Sequence, residues 1–151
     1  MAKEIERKFL VAGHAWRKRA GRGKSIQQAY LALTETVSLR VRIVGKTKAY
    51  LTVKGARSGA TRSEFEYPIP LRDARALMKL RTGRVIKKRR HVVRAGKAKV
   101  EIDVFKGYHR GLVIAEVEIP SQRARFDRPD WLGVEVTDEE RYYNANLAKA
   151  R

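Results

Sequence analysis

The side chains able to do chemistry come in pairs. Glu4 and Glu6, Glu64 and Glu66, Glu101 and Asp103, and Glu116 and Glu118 are each separated by one apolar residue: Ile5, Phe65, Ile102 and Val117. In an extended strand, residues two apart point to the same face. Each pair therefore sets two carboxylates side by side, with an apolar residue on the opposite face. The four pairs hold half of the 16 acidic residues, a concentration that solubility alone does not require. Arg40-Val41-Arg42 repeats the device in the basic sign, and Lys8, Lys54 and Arg62 extend it. Any single pair reads more readily as the wet outer face of an ordinary strand. Taken together they read as a shared charged interior. Like charges stacked across a sheet repel, so such an interior needs partners: metal cations for the acids and an anion for the bases.

The elements that must carry these pairs follow from periodicity and turn chemistry. Glu4-Ile5-Glu6-Arg7-Lys8-Phe9-Leu10-Val11 alternates, with Glu4, Glu6 and Lys8 on one face and Ile5, Phe9 and Val11 on the other; Arg7 is the exception. Residues 13–24 form a loop or short helix around Trp16. Strands are predicted over 25–33, 37–44, 49–54 and 61–69, the last ended by Pro68 and Pro70. Residues 71–80 have apolar positions at helical spacing, closed by Gly83. Strands over 84–94 and 97–106 form a long hairpin around Ala95-Gly96, and the last long strand covers 112–119. A short helix from Ser121 and a loop with Pro129, Trp131 and Gly133 follow. Thr137, with Glu140 three residues on, predicts a capping box at the start of a terminal helix. The total is eight strands and about three helices. The fold class is α+β, predominantly β: a closed eight-stranded antiparallel barrel with a few flanking helices, just wide enough inside for side chains or one small ligand. Its polarity is inverted, with apolar faces outward and charged faces lining a wet tunnel.

Glu-x-Glu-x-Lys at the N-terminus, followed in order by the strand-borne charge pairs, resembles the CYTH family, the triphosphate tunnel metalloenzymes. The resemblance runs from Glu4 to about Leu147 and includes the closing Val-Thr-Asp-Glu-Glu-Arg-Tyr-Tyr-Asn segment. It implies an eight-stranded tunnel that binds a small-molecule triphosphate through Lys and Arg and a divalent metal through Glu and Asp. Carboxylates are hard oxygen donors suited to Mg2+ or Mn2+. The first ligands are Glu4, Glu6, Glu116 and Glu118, with Glu64, Glu66, Glu101 and Asp103 near them. Lys8, Arg40, Arg42, Lys54 and Arg62 are the substrate cations, the arginines binding phosphate in a bidentate manner and the lysines as point charges. Phosphoryl transfer needs charge neutralisation and alignment more than covalent help. No cysteine and no serine in an elbow motif offers a nucleophile, so water is expected to attack directly, one metal neutralising the phosphate and a second lowering the pKa of the water, with Glu4 and Glu6 among the catalytic residues.

The family also places a Lys-x-Arg pair on the basic hairpin strand. Lys87-x-Arg89 and Lys88-x-Arg90 both fit, on opposite faces, and a slip of one residue exchanges inside for outside. A two-residue turn at Ala95-Gly96 sets Arg90 opposite Glu101 and Lys88 opposite Asp103, which favours Lys88 and Arg90 in the lumen. Lys88 is then the candidate for deprotonating the attacking water. Tyr30 either stacks at a tunnel mouth or packs in the barrel. His14, His91 and His109 read as surface residues, and Trp16 and Trp131 as packing under loops.

The 151 residues suit one domain, 1–151, and 43% hydrophobic content supplies a core. The absence of cysteine excludes disulfides and thiolate metal sites. Neither a membrane-spanning run nor a signal peptide is visible, so a cytoplasmic protein is expected. The net charge of +19 admits a rival of another class, a non-catalytic polyanion- or RNA-binding protein. Such a binder has no use for paired acids, and no zinc-finger spacing or recognition helix supports it. Thiamine triphosphatase and adenylate cyclase remain open within the family, as does a homodimer.

Overall fold

The computed structural model describes residues 3–121 and 123–149; the side chains of Lys3 and Glu4 lie outside the described residues. Nine strands are found among them: β1 (Lys3–Val11), β2 (Lys24–Leu33), β3 (Val37–Val44), β4 (Lys48–Gly55), β5 (Thr61–Pro68), β6 (Thr82–Ala95), β7 (Ala98–Phe105), β8 (Val113–Glu118) and β9 (Leu132–Glu135). All pairings are antiparallel. The order β5-β4-β3-β2-β6-β7-β8-β1 closes on itself through β1 and β5, giving an eight-stranded barrel. β9 is an addition that the alternation did not announce. It is four residues long and pairs with the C-terminal half of β1 on the edge that β5 uses at the other half.

β9 explains the exception in β1. Arg7 projects from the apolar outer face, and both Nε and one Nη donate to Glu135 of β9 at 2.9 and 2.6 Å. The guanidinium lies over the rings of Phe9 and Phe126. A charge on the packed side is thus neutralised by a bidentate partner more than a hundred residues away, which no local pattern encodes.

The outward faces are covered in two patches. Phe9, Val100, Ile102, Ala115 and Val117 pack under Trp16 and Leu132, with Phe126 and Trp131 at the margin. This cover is a 3-10 turn (Ala15–Arg19) and the chain between β8 and β9, rather than an α-helix. α1 (Leu71–Met78) lays Ala74 and Met78 on Ala29, Val41 and Ala49. Trp16 is buried, as expected, and takes His91 against its ring at 5.2 Å. His91 is therefore not a surface residue. It is buried, with Nδ1 bonded to the Gly21 carbonyl, because an odd-numbered β6 residue points outward under the 13–24 loop.

Three local expectations are corrected. The β6–β7 turn is Gly96-Lys97, with Ala95 paired to Ala98, not Ala95-Gly96. Gly96 takes φ 63, the left-handed conformation that a tight hairpin demands. No helix starts at Ser121 among the described residues. Thr137 caps nothing: its hydroxyl accepts from the Lys8 amide and donates to Glu135. The C-terminal helix begins later, as α2 (Asn144–Leu147) after a 3-10 turn at Glu140–Tyr142. This segment closes one end of the barrel. Ala148, Leu147 and Tyr142 pack on Tyr30, Ile86, Phe105 and Ile114, which are the inward residues at that end.

Candidate active site

Inside the barrel lies a cavity of about 1200 Å³. The cross-strand register builds its walls. Two rows run across β7, β8 and β1: Glu101, Glu116 and Lys8 in one, Lys99, Glu118 and Glu6 in the next. Glu101 thus faces Glu116 directly, and Glu6 faces Glu118. Tyr30, Arg40, Thr52 and Glu66 make a row across β2, β3, β4 and β5; Lys54 faces Glu64, and the backbone of Glu4 faces that of Arg62. In the closed order β3 stands diametrically across from β8. Arg40 and Arg42 therefore look at the acids of β8 and β1 across the lumen.

Each basic side chain has a distinct environment. Arg40 is buried, donates from one Nη to Thr52 at 3.3 Å, and leaves its Nε buried without a partner. An unpaired donor on a buried cation costs free energy unless a ligand accepts from it. Arg42 donates from Nε to Gln28, and burial together with neighbouring Arg40 and Arg90 pushes its guanidinium down to about 9. Arg90 grips Asp103 from Nε and Nη2 at 2.7 and 2.9 Å and reaches Glu101 at 3.5 Å. Burial opposes its charge, but these carboxylates hold it well above the ordinary value. Asp103 is deeply buried, and Arg90 and Lys88 keep it ionised far below the usual carboxylate range against the cost of burial.

The Lys88-x-Arg90 register is the one that points inward. Observed pairing sets Arg90 opposite Asp103 and Lys88 opposite Phe105, a shift of two residues from expectation. A shift of two keeps every side chain on its face. Lys88 does not line the cavity. It sits one layer behind, fully buried, with Nζ 2.7 Å from Asp103 and 3.1 Å from the Asn144 amide oxygen. Desolvation, aided by Arg90 and Arg42, pushes its ammonium down to about 7 in spite of Asp103. Asp103 stays ionised whichever state Lys88 holds, because Arg90 binds it twice.

Of the sequence candidates, Glu6, Lys8, Tyr30, Arg40, Arg42, Lys54, Arg62, Glu64, Glu66, Arg90, Glu101, Glu116 and Glu118 line the cavity. Asp103 and Lys88 stand behind it, and the Glu4 side chain lies outside the described residues. Tyr30 is buried against the C-terminal plug, as the packing reading expects, and its edge reaches the cavity. Sequence reasoning missed four residues. Gln28 and Asn144 link Arg42 to Lys88: Gln28 accepts from Arg42 and donates to the same Asn144 oxygen that Lys88 uses. Arg57, in the β4–β5 loop, lies over the Tyr143 ring at 4.5 Å and 3.5 Å from Glu6. Gln28 was on the inward face of a recognised strand and could have been found. Arg57 sits in a loop, and Tyr143 and Asn144 sit at the start of a four-residue helix too short to show a period.

The acid wall fits a hard divalent cation by its donor set. Two directly opposed carboxylate pairs are unfavourable unless something positive sits between them. Burial would raise Glu116, yet Lys8 at 3.8 Å and a hydrogen bond donated by Glu6 hold it well below the ordinary range. Glu6 and Glu116 therefore lie within hydrogen-bond reach of one another. Among the described residues no group of three acids alone encloses such a site.

A closed barrel with arginines on one wall and opposed carboxylates on the other defines a tunnel for a compact polyanion bound with divalent cation. The chain belongs to the CYTH family, whose domain matches residues 2–150. The family implies a divalent metal. The sequence is 43% identical over 150 residues to an inorganic triphosphatase of Acetivibrio thermocellus, covering 99% of this chain and 95% of that protein. It is 36% identical over 149 residues to an inorganic triphosphatase of Nitrosomonas europaea, covering 96% of each. The crystal structure of the inorganic triphosphatase NE1496 superposes with a TM-score of 0.70 at 34% identity, over all of this chain and 97% of that one. Among the described residues no helix is long and apolar enough to cross a membrane.

Proposed function

We propose that this protein is a triphosphatase that hydrolyses inorganic tripolyphosphate to pyrophosphate and phosphate, acting as a single unit over residues 1–151. The observation that carries the reading is the polarised lumen: buried Arg40 with an unsatisfied Nε faces two opposed carboxylate pairs across the barrel. Arg40 and Arg42, with Lys8, Lys54, Arg62 and Arg90, bind and orient the phosphate oxygens. Bidentate guanidinium contacts from adjacent positions on one strand fix the chain of phosphates along the tunnel. Glu6, Glu116 and Glu118 would hold the divalent cation, Mg2+ or Mn2+, with Glu4, Glu64, Glu66 and Glu101 within the same wall system. When bound, such a cation neutralises developing phosphate charge and makes an attacking water more acidic. Lys88 is the proposed proton acceptor. To act so it must exchange its Asn144 hydrogen bond for one to the attacking water, and at a value near 7 it is substantially neutral at physiological pH.

The test is phosphate release from tripolyphosphate, ATP and thiamine triphosphate, each with Mg2+, with Mn2+ and with EDTA. The highest kcat/KM is expected for tripolyphosphate and none in EDTA. Full turnover in EDTA, or a clear preference for either organic triphosphate, overturns the assignment.

A further inference from the structure

Arg57 is unlike the other cavity cations. Lys8, Arg40, Arg42, Lys54, Arg62 and Arg90 project from barrel strands, whereas Arg57 comes from the segment between β4 and β5, flanked by Gly55 and Gly59. The segment rests on the acid wall, where the Glu6 amide donates to the Ala60 carbonyl at 3.1 Å. The guanidinium stacks over Tyr143, whose hydroxyl is anchored to the Thr137 carbonyl. Its Nη2 lies 3.5 Å from Glu6, longer than a well-formed ionic hydrogen bond, and its Nε is buried without a partner. It lines the same cavity as Lys54, Arg62, Glu116 and Glu118.

A guanidinium and a divalent cation compete for the same carboxylate and repel one another. Arg57 is one of the partners of the Glu6 carboxylate in this structure. We infer that Arg57 is a substrate-binding residue held at Glu6 until that carboxylate takes a divalent cation, and that it then turns along the Tyr143 ring to donate to a phosphate oxygen. The loose ion pair and the unsatisfied Nε are what such an exchange needs: little is lost on leaving Glu6, and a donor is waiting for an acceptor. This rests on the triphosphatase reading and adds a residue that opposes metal binding alone and supports metal binding with substrate.

The effects of removing Arg57 therefore have opposite signs. Mn2+ binding to Arg57→Ala and Arg57→Gln is measured by calorimetry without triphosphate, and KM for tripolyphosphate is measured at saturating Mn2+. Both variants are expected to bind Mn2+ several-fold more tightly than the unaltered protein and to show a KM raised about tenfold, with kcat changed less. Arg57→Lys keeps the charge without the planar stack and is expected to fall between. Unchanged or weaker Mn2+ binding overturns the exchange, as does an unaltered KM or an unaltered protein that binds no Mn2+. The calorimetric arm needs no turnover, so a protein inactive on tripolyphosphate would sink the proposed function while this arm still returned its own answer.

Discussion

At the scale of residues, the lumen separates groups that bind from groups that position. Arg40→Ala and Arg42→Ala should each cost about 1.5–3 kcal/mol of transition-state binding, the range for a hydrogen bond to a charged partner. Exposed Arg19→Ala should leave kcat/KM unchanged. Equal losses from the two sets, measured by steady-state kinetics, would move the site out of the barrel. Glu6→Gln should abolish turnover yet leave the metal-free melt unchanged or raised, because it relieves the opposed pair with Glu118; a fully active variant would remove Glu6 from the site. Lys88 gives a pH signature. Its value is near 7 in the fold against 10.5 for the free side chain. Between those limits the unfolded chain carries a proton that the folded one lacks. Stability therefore rises as pH climbs from about 7 toward 10.5 and gains nothing from this group below 7. Lys88→Met should flatten that slope in thermal melts, since Asp103 keeps Arg90. If Lys88 is also the base, the same variant should lose a rise in kcat centred near pH 7.

At the scale of elements, the pairs themselves made β1, β5, β7 and β8 legible, because alternation at period two both marks a strand and assigns its faces. The β6 face was legible for a subtler reason. The turn was misplaced by one residue, Gly96-Lys97 in place of Ala95-Gly96, so the sum of paired positions moved by two and parity survived. β9 and the plug were not legible, since four-residue elements carry too few periods and owe their structure to what they cover. Arg7 needed Glu135, and Tyr30, Ile86, Phe105 and Ile114 needed α2. The plug is also the element that joins packing to the site, through the Asn144 oxygen shared by Lys88 and Gln28. Asn144→Ala removes the acceptor that Gln28 and Lys88 share in a buried setting, leaving Lys88 to Asp103 alone. A loss of about 1–3 kcal/mol in denaturant unfolding is expected, together with reduced turnover as Gln28 ceases to hold Arg42. Unaltered stability and activity would show that the plug merely fills the barrel end.

At the scale of the whole molecule, the inverted polarity was readable because it is expressed in every strand. The distribution of the remaining charge was not. Half of the 16 acids belong to the inward pairs, where a comparable number of lysines and arginines faces them, so the excess of +19 lies on the outer surface. Residues 12–34 and 74–100 contain no acid at all, and β2 and β6 bring these stretches together edge to edge. A surface of this kind attracts any polyanion without reading it, and that attraction collapses with salt. The lumen sites are shielded from mobile ions and respond less. Retention of a single-stranded RNA oligonucleotide and tripolyphosphate kcat/KM, both followed from low to high KCl, should therefore separate. The first is expected to fall about tenfold or more between 50 and 200 mM, the second by far less. Neutralising the exposed Lys18, Arg19 and Arg22 to Gln should weaken retention and leave turnover alone. Parallel decline of both quantities, or loss of turnover in that triple variant, would mean that the outer charge steers or binds the substrate, and the separation between a catalytic interior and an indifferent basic exterior would fail.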